Sequence, residues 1–379
     1  MKYIAFVDTE EYVNERRSVV LASSNVARYM AKVFSSFCDV EIISPARTLA
    51  DFGFWRGRRI KLSDNITLTL PPSLGGKTRF TSVGMAIFTQ LWLLGKLLLG
   101  TKRGETICVY HSLSVIPVIR IVRFLKKLRI ILEVREIYND VHDRKQSSRA
   151  KELAFFKVAD GFIVASSLLD KLINPQALPS VLAPGIYRVE KPRAEKFNDG
   201  KVHVVYAGTF RAIKGGALAA VRTAEFLPKN YVVHILGRGE PEVVENLLGE
   251  IDSVSRRSRA TIVYEGVKFG DDFKTFLQRC HVGLSTQNPE ESFNNTSFPS
   301  KVLTYLVNGL TVVSAKVAPV MQSPVGKYVH YYENNNPSDI ARCVIDCSRD
   351  ADVSTEPIDS VITGLEIDLR KALKKLLVG

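Results

Sequence analysis

The chain has 379 residues, of which 46% are hydrophobic and 24% charged. This is ordinary globular composition, long enough for two domains of roughly 180 residues that each bury a full core without a disulfide or metal staple. The net charge of +13 is uneven: residues 1–200 hold 31 Lys and Arg against 19 Asp and Glu, and residues 51–150 hold 18 against 7. A basic first half suits an anionic partner such as membrane lipid, a lipid-linked phosphate or nucleic acid, and is equally read as a solvated basic face.

The first residues, MKYIAFVDTEEYVNERR, read as a strand over 2–7 rather than a signal peptide. A helix is expected near 19–37 and a strand at 39–43. Residues 45–80 are rich in Gly, Pro and Arg and predict irregular loops with one short strand at Ile66–Leu70. The stretch VGMAIFTQLWLLGKLLLG, 83–100, is interrupted by Gln90 and Lys96. It is read as a buried or half-buried helix, a membrane-surface helix or a membrane span, and these readings stay open. Strands come next at 106–110, 130–134 and 161–165, with helices near 114–128 and 147–159. The run VIRIVRFLKKLRIIL places Arg120, Arg123, Lys126, Lys127 and Arg129 among aliphatic residues. That pattern fits a helix on an anionic membrane surface, or a crossover helix with a solvated face.

Residues 182–201 hold prolines, glycines and many charges, and read as an interdomain linker. Beyond it the rhythm is cleaner. Strands at 202–206, 231–236, 260–264, 281–285 and 310–314 alternate with helices at 217–227, 240–248, 271–280 and 300–307. Alternation of this kind gives βα units, right-handed crossovers and a doubly wound parallel sheet. The tail 358–377 predicts an amphipathic helix with Ile362, Leu365, Leu369, Leu373 and Leu376 on one side. The five cysteines, 38, 108, 280, 343 and 347, contain no CxxC and have no His pattern beside them. They read as reduced thiols of a cytosolic protein, not a zinc site. Cys343 and Cys347 share one face of an expected helix.

Three motifs carry chemistry. In VVYAGTFRAIKGG, 204–216, a strand runs into a turn and then a helix start. Free N–H groups there favour a phosphate, and Lys214 and Arg211 add positive charge; a plain tight turn is the bland alternative. In ILGRGEPE, Gly237 and Gly239 permit close backbone approach to a ligand. In LSTQNPEESFNNTSFPSKVLTYLVNGLTVVS, 284–314, Pro299 and Ser300 begin a helix, and Lys301 is a cation where the helix dipole favours an acid. An anionic ligand on that helix start would explain it.

In this order and spacing, the three motifs resemble the C-terminal domain of GT-B glycosyltransferases of the family-4-like group, well over 202–315 and loosely over the first half. The resemblance implies two Rossmann-like doubly wound domains facing a cleft. The expected boundaries are 1–185 for the acceptor-binding domain, 186–200 for a linker, 201–355 for the nucleotide-sugar domain and 356–379 for a helix packing back on the first. It implies that Gly208, Thr209, Arg211, Lys214, Gly215, Gly237, Gly239, Pro299, Ser300, Lys301 and Thr304 line the donor site. Lys214 and Gly215 match the diphosphate-binding Lys-Gly. Thr209 stands where the family usually has Arg, and Thr296 and Thr304 stand where it has two glutamates. Ser23, Ser24 and Asn25 match a small-residue loop facing the donor phosphates. His111 matches a cleft histidine, and Arg135 and Glu136 occupy the places of a His-Asp pair on the acceptor side. Each is also readable as structural: a helix start, a core histidine, an internal ion pair.

The implied activity is transfer of a sugar from a UDP- or GDP-linked donor to a glycan or lipid-linked acceptor. Retention of configuration and a role in cell-surface polysaccharide synthesis are expected. The expected location is the cytoplasm, peripherally on the inner membrane face. No cofactor or metal is expected, since the lone DxD, Asp350-Ala-Asp352, comes after a helix, and no nucleic-acid-binding module is recognisable. A non-catalytic nucleotide-sugar-binding subunit and a sugar-nucleotide epimerase are the alternatives.

Overall fold

The computed structural model describes residues 1–9, 15–141, 146–210, 215–288, 291–349 and 358–379. They form two compact units, Met1–Ala183 with Asp368–Gly379, and Pro184–Ile367.

In the first unit the chain runs β1 (Lys2–Ile4), α1 (Leu21–Phe34), β2 (Val40–Ile43), β3 (Phe54–Trp55), β4 (Arg58–Ser63), β5 (Ile66–Leu70), β6 (Ser73–Leu74) and α2 (Arg79–Gly100). It continues through β7 (Thr106–Tyr110), α3 (Ile116–Lys126), β8 (Arg129–Val134), α4 (Tyr138–Val141), α5 (Gln146–Phe156), β9 (Gly161–Val164), α6 (Ser167–Ile173) and β10 (Ser180–Leu182). Eight strands make one sheet in the order β10-β9-β8-β7-β1-β2-β5-β4. Runs such as TICVY in β7 and RIILEV in β8 are apolar almost throughout because helices cover both faces of a parallel sheet. β4 is the exception: RRIKLS pairs antiparallel with β5, and its charges suit an exposed edge. β1 lies between β2 and β7, so the chain reverses its winding there. In such sheets a crevice opens at the carboxyl ends of the strands where the order reverses.

The second unit holds β11 (Val202–Thr209), α7 (Gly216–Thr223), β12 (Tyr231–Arg238), α8 (Pro241–Ser255), β13 (Thr261–Gly266), α9 (Gly270–Arg279) and β14 (Val282–Ser285). It continues with α10 (Ser300–Leu306), β15 (Thr311–Ala315), α11 (Ala318–Met321), β16 (Val329–Tyr332) and α12 (Pro337–Arg349). The sheet is all parallel, ordered β13-β12-β11-β14-β15-β16, the strand order of dinucleotide-binding folds, with its reversal between β11 and β14. α13 (Ile358–Val378) closes the chain, and Ile362, Leu369, Leu373 and Leu376 form its buried stripe.

The structure departs from the sequence-based expectation over 45–80, where β3, β4 and β6 accompany the expected strand at 66–70, and in the expected linker. Residues 184–200 are not a loose connector but are bound to the second unit. Glu190 N donates to Val307 O at 2.9 Å, Arg193 N to Gln278 Oε1 at 2.8 Å, and the Phe197 ring stacks on His203 at 4.0 Å. The unit boundary therefore falls at Ala183–Pro184. Of the readings of 83–100, the buried or half-buried helix is met in its half-buried form. α2 fully buries only Thr89, Leu93 and Leu97, half-covers Met85, Ala86, Trp92, Leu94 and Leu98, and leaves Phe80, Val83, Ile87, Phe88, Leu91 and Leu99 exposed.

Candidate functional site

In the second unit the strand ends around the β11–β14 reversal form a floor without side chains. Gly208 and Gly237 pair side by side across β11 and β12. Gly237 has φ of 145°, and a Cβ there would lie 1.8 Å from Gly208 O, so only glycine fits. Gly239 is closed in by Phe210. Gly215, with φ of 58°, caps α7, and Gly216 lies against the carbonyl of Thr286 in the loop after β14. Thr286 Oγ1 donates to Gly216 O at 2.7 Å and so ties that loop to the helix start. The Tyr305 hydroxyl pins β11 to β14, accepting from Ala207 N at 2.8 Å and donating to Leu284 O at 3.3 Å.

Lys301 projects from α10 onto this floor. A Cβ on Gly208 would lie 2.8 Å from Lys301 Nζ, and Nζ sits 5.1 Å from the centre of the Tyr206 ring. The residue is half-buried, and loss of water around the ammonium lowers its pKa from 10.5 to about 8. Burial is the sole cause of that shift: among the described residues no carboxylate compensates the charge. The hydroxyls of Ser285, at the end of β14, and Ser297, before α10, are buried without hydrogen-bond partners among the described residues. A desolvated cation over a glycine floor can hold an anion whose oxygens approach the backbone closely.

Of the other residues expected here, Pro299 precedes α10, and exposed Ser300 opens it. Thr304 Oγ1 donates back to Ser300 O at 3.0 Å, as a hydroxyl in a helix commonly does. Thr209 is exposed at the end of β11. Arg211 and Lys214 lie outside the described residues, as does Asp350-Ala-Asp352.

In the first unit a cavity of about 280 Å³ lies at the carboxyl ends of β1 and β7, lined by Phe6, Ser18, Val20, Ser23, Tyr110 and Tyr138 among others. A buried ion pair fixes its rim: Arg17 Nε donates to Glu15 Oε2 at 2.8 Å, and its Nη1 to the carbonyls of Ala46 and Pro71, each at 2.9 Å. α1 begins at the cavity with no side-chain cap, so its first-turn N–H groups are open to a ligand. Ser23 and Ser24 lie in that first turn and Asn25 follows it. Ser23 and Tyr110 both line the cavity, Ser24 is buried, and Asn25 is exposed.

His111 is buried and does not line the cavity. Its Nε2 lies 2.7 Å from Glu152 Oε1, and Tyr138, Phe155 and Phe156 surround the ring. Glu152 also accepts from Tyr138 N at 2.8 Å and Asn139 N at 3.0 Å, which caps α4. His111 thereby positions Tyr138, whose hydroxyl donates to His111 O at 3.1 Å. Arg135 is drawn inward by Glu133, with Nε 2.9 Å from Oε1, and by the carbonyl of Ala183. Burial pushes the pKa of the Tyr110 hydroxyl up to about 12 and that of Tyr138 higher still, so both stay neutral, and half-buried Glu136 adds a smaller push in the same direction. Glu133, Glu152, Tyr138, Phe6 and Ser18 carried no local signal in the sequence.

No family model and no curated protein matches the sequence. Solved structures do. Trehalose-6-phosphate synthase OtsA superposes with a TM-score of 0.70 at 10% identity, covering 99% of this chain and 98% of its own. The α,α-trehalose-phosphate synthase (UDP-forming) of Burkholderia xenovorans, in complex with glucose-6-phosphate, gives 0.67 at 11% identity over 100% and 99%. Anabaena Alr3699/HepE, in complex with UDP and glucose, gives 0.66 at 12% identity over 100% of both chains. The chain has the GT-B fold. Its two GT-B units correspond to the two sheets described above, and the likeness extends over the first half, where the sequence motifs resembled the group only loosely.

Proposed function

We propose that the protein is a glycosyltransferase that takes a sugar from a UDP- or GDP-linked donor and transfers it with retention to a glycan or lipid-linked acceptor in cell-surface polysaccharide synthesis. The observation that carries this reading is Lys301, a desolvated ammonium over the Gly208–Gly237 floor at the sheet reversal. A donor diphosphate supplies the missing counter-charge. The same cation stabilises the charge that grows on the diphosphate as the glycosidic bond breaks. The α7 start at Gly215, with Lys214 next to it in sequence, completes the anion site, and no cofactor enters the step. The similar structures hold UDP with glucose in HepE and glucose-6-phosphate in the Burkholderia synthase, which supports a nucleotide-sugar donor and a hydroxyl acceptor. The first-unit cavity, with its serine hydroxyls and tyrosine rings, suits a sugar ring.

The test is release of UDP or GDP from a panel of nucleotide sugars with mixed glycan and lipid-linked acceptors, and the anomeric configuration of the product by NMR. Binding without turnover on every donor would instead favour a non-catalytic nucleotide-sugar-binding subunit. Thr304, a back-bonded hydroxyl where related proteins use a carboxylate, favours that second reading. A milder probe is Gly208→Ala. The new methyl meets the flexible tip of Lys301 at 2.7 Å, not backbone. It is expected to push the ammonium aside and weaken UDP or GDP binding about ten-fold while the melting temperature stays unchanged; calorimetry and a thermal melt check both.

A further inference from the structure

α2 has 22 residues and contains no acid, and its most apolar stretch has a mean hydropathy of 1.5 with 17% buried. Phe80, Val83, Ile87, Phe88, Leu91 and Leu99 are exposed on it, Phe80 by 89% and Leu99 by 92%. From Phe80 through Val83 and Ile87 to Leu91 they recur every three or four residues, an apolar stripe along the first three turns, with Leu99 exposed two turns further on. α3 packs beside it and adds outward Phe124, 83% exposed, and Leu125. A monomeric soluble protein rarely leaves so much contiguous apolar surface uncovered.

We propose that this face of α2 and α3 is a docking surface for an anionic lipid bilayer, with α2 lying in the plane of the interface. Three observations select this occupant. The helix is held to its domain by Thr89, Leu93 and Leu97 on its inner side and by Lys96, 3.5 Å from Glu41, so it lies against the sheet and does not cross a membrane. Residues 77–127 contain nine Lys and Arg and a single acid, Glu105. Lys2 neutralises that acid at 3.0 Å, while Lys77, Arg79, Lys102, Arg103, Arg120 and Lys127 stay exposed. A rim of that sign around an apolar stripe matches anionic headgroups over acyl chains. A second copy of the chain would press the same positive rim against itself, which disfavours self-association.

This inference is independent of the transferase reading, because vesicle binding and nucleotide binding are measured separately and either can fail alone. The experiment is sedimentation of the full chain with vesicles of phosphatidylcholine alone and of phosphatidylcholine mixed with phosphatidylglycerol. Binding to the mixed vesicles is expected, weakening as salt is raised, with little binding to the neutral ones. Lys102→Gln with Arg103→Gln is expected to lower the partition constant by roughly five-fold per charge removed. The triple change Phe80→Ser, Ile87→Ser, Leu91→Ser alters only exposed side chains and is expected to abolish binding, with nucleotide affinity and melting temperature unchanged as folding controls. Equal binding to both vesicle types, no binding at low salt, or full binding by either variant would overturn the proposal. So would light scattering that shows a lipid-free dimer dissociated by the serine changes.

Discussion

Lys301→Met lowers the affinity for UDP or GDP by about ten- to a hundred-fold, the range of one hydrogen bond to a charged group, and does not lower the melting temperature. Both outcomes stem from one feature. The ammonium is held at a pKa of about 8 by burial, with no compensating carboxylate among the described residues. In the ligand-free protein the charge is therefore a liability, and methionine fills the same space without it. A diphosphate beside it, as proposed, favours the charged form. The pH dependence has a definite sign. As pH rises through about 8 the free protein loses this proton, whereas the bound protein retains it to higher pH. Nucleotide affinity accordingly falls above that point, and binding takes up a proton there. Calorimetry in buffers of different ionisation enthalpy reads the proton uptake. A variant that binds as tightly as the parent, or an affinity flat across pH 8, would remove Lys301 from the site.

Glu133→Ala destabilises the first unit by about 3–5 kcal/mol, the usual effect of taking one partner from a buried ion pair. Glu133 is fully buried in β8. It accepts from Tyr3 Oη at 2.5 Å and from Arg135 Nε at 2.9 Å. Burial, and then the charge of Glu133, push the pKa of Tyr3 well above its ordinary value, so the hydroxyl stays a donor. Alanine leaves that donor and the Arg135 guanidinium without their acceptor. Glu133→Gln keeps an acceptor for Tyr3 and is expected to cost less. Urea unfolding followed by circular dichroism tests this, and a chain of two units calls for fitting more than one transition. A loss under about 1 kcal/mol would show that water replaces the carboxylate.

The parallel strands were legible because burial on both faces writes them as short apolar runs. Thr106–Tyr110 was expected and found, and the expected 202–206 strand extends to Thr209 because Gly208 keeps an extended backbone. Lys301 was legible too, as a cation at a helix start where an acid is usual. The rest was hidden for physical reasons. β4 is an edge strand, and its arginines and lysine look like loop residues. α2 is apolar on every side, so periodicity marks no inner face, and only the fold decides that Thr89, Leu93 and Leu97 are the covered ones. His111 takes its meaning from Glu152, which is distant in sequence and arrives with a separate helix. Glu133 sits inside an apolar run that otherwise marks plain core.

α13 is shared: Ile358–Ile367 belongs with the second unit and Asp368–Gly379 with the first. Leu369, Leu373 and Leu376 are buried, and Arg129 Nη1 donates to Leu376 O at 2.8 Å within the first unit. The amino-terminal unit is thus completed by Asp368–Gly379, far beyond its own last strand, which ends at Leu182. A fragment ending at Ala183 would emerge with an unfilled seam, and a gene fusion that swaps every residue beyond that point would graft a foreign plug into it. Chimaeras between such proteins should exchange 184–367 as an internal cassette and keep the parental tail.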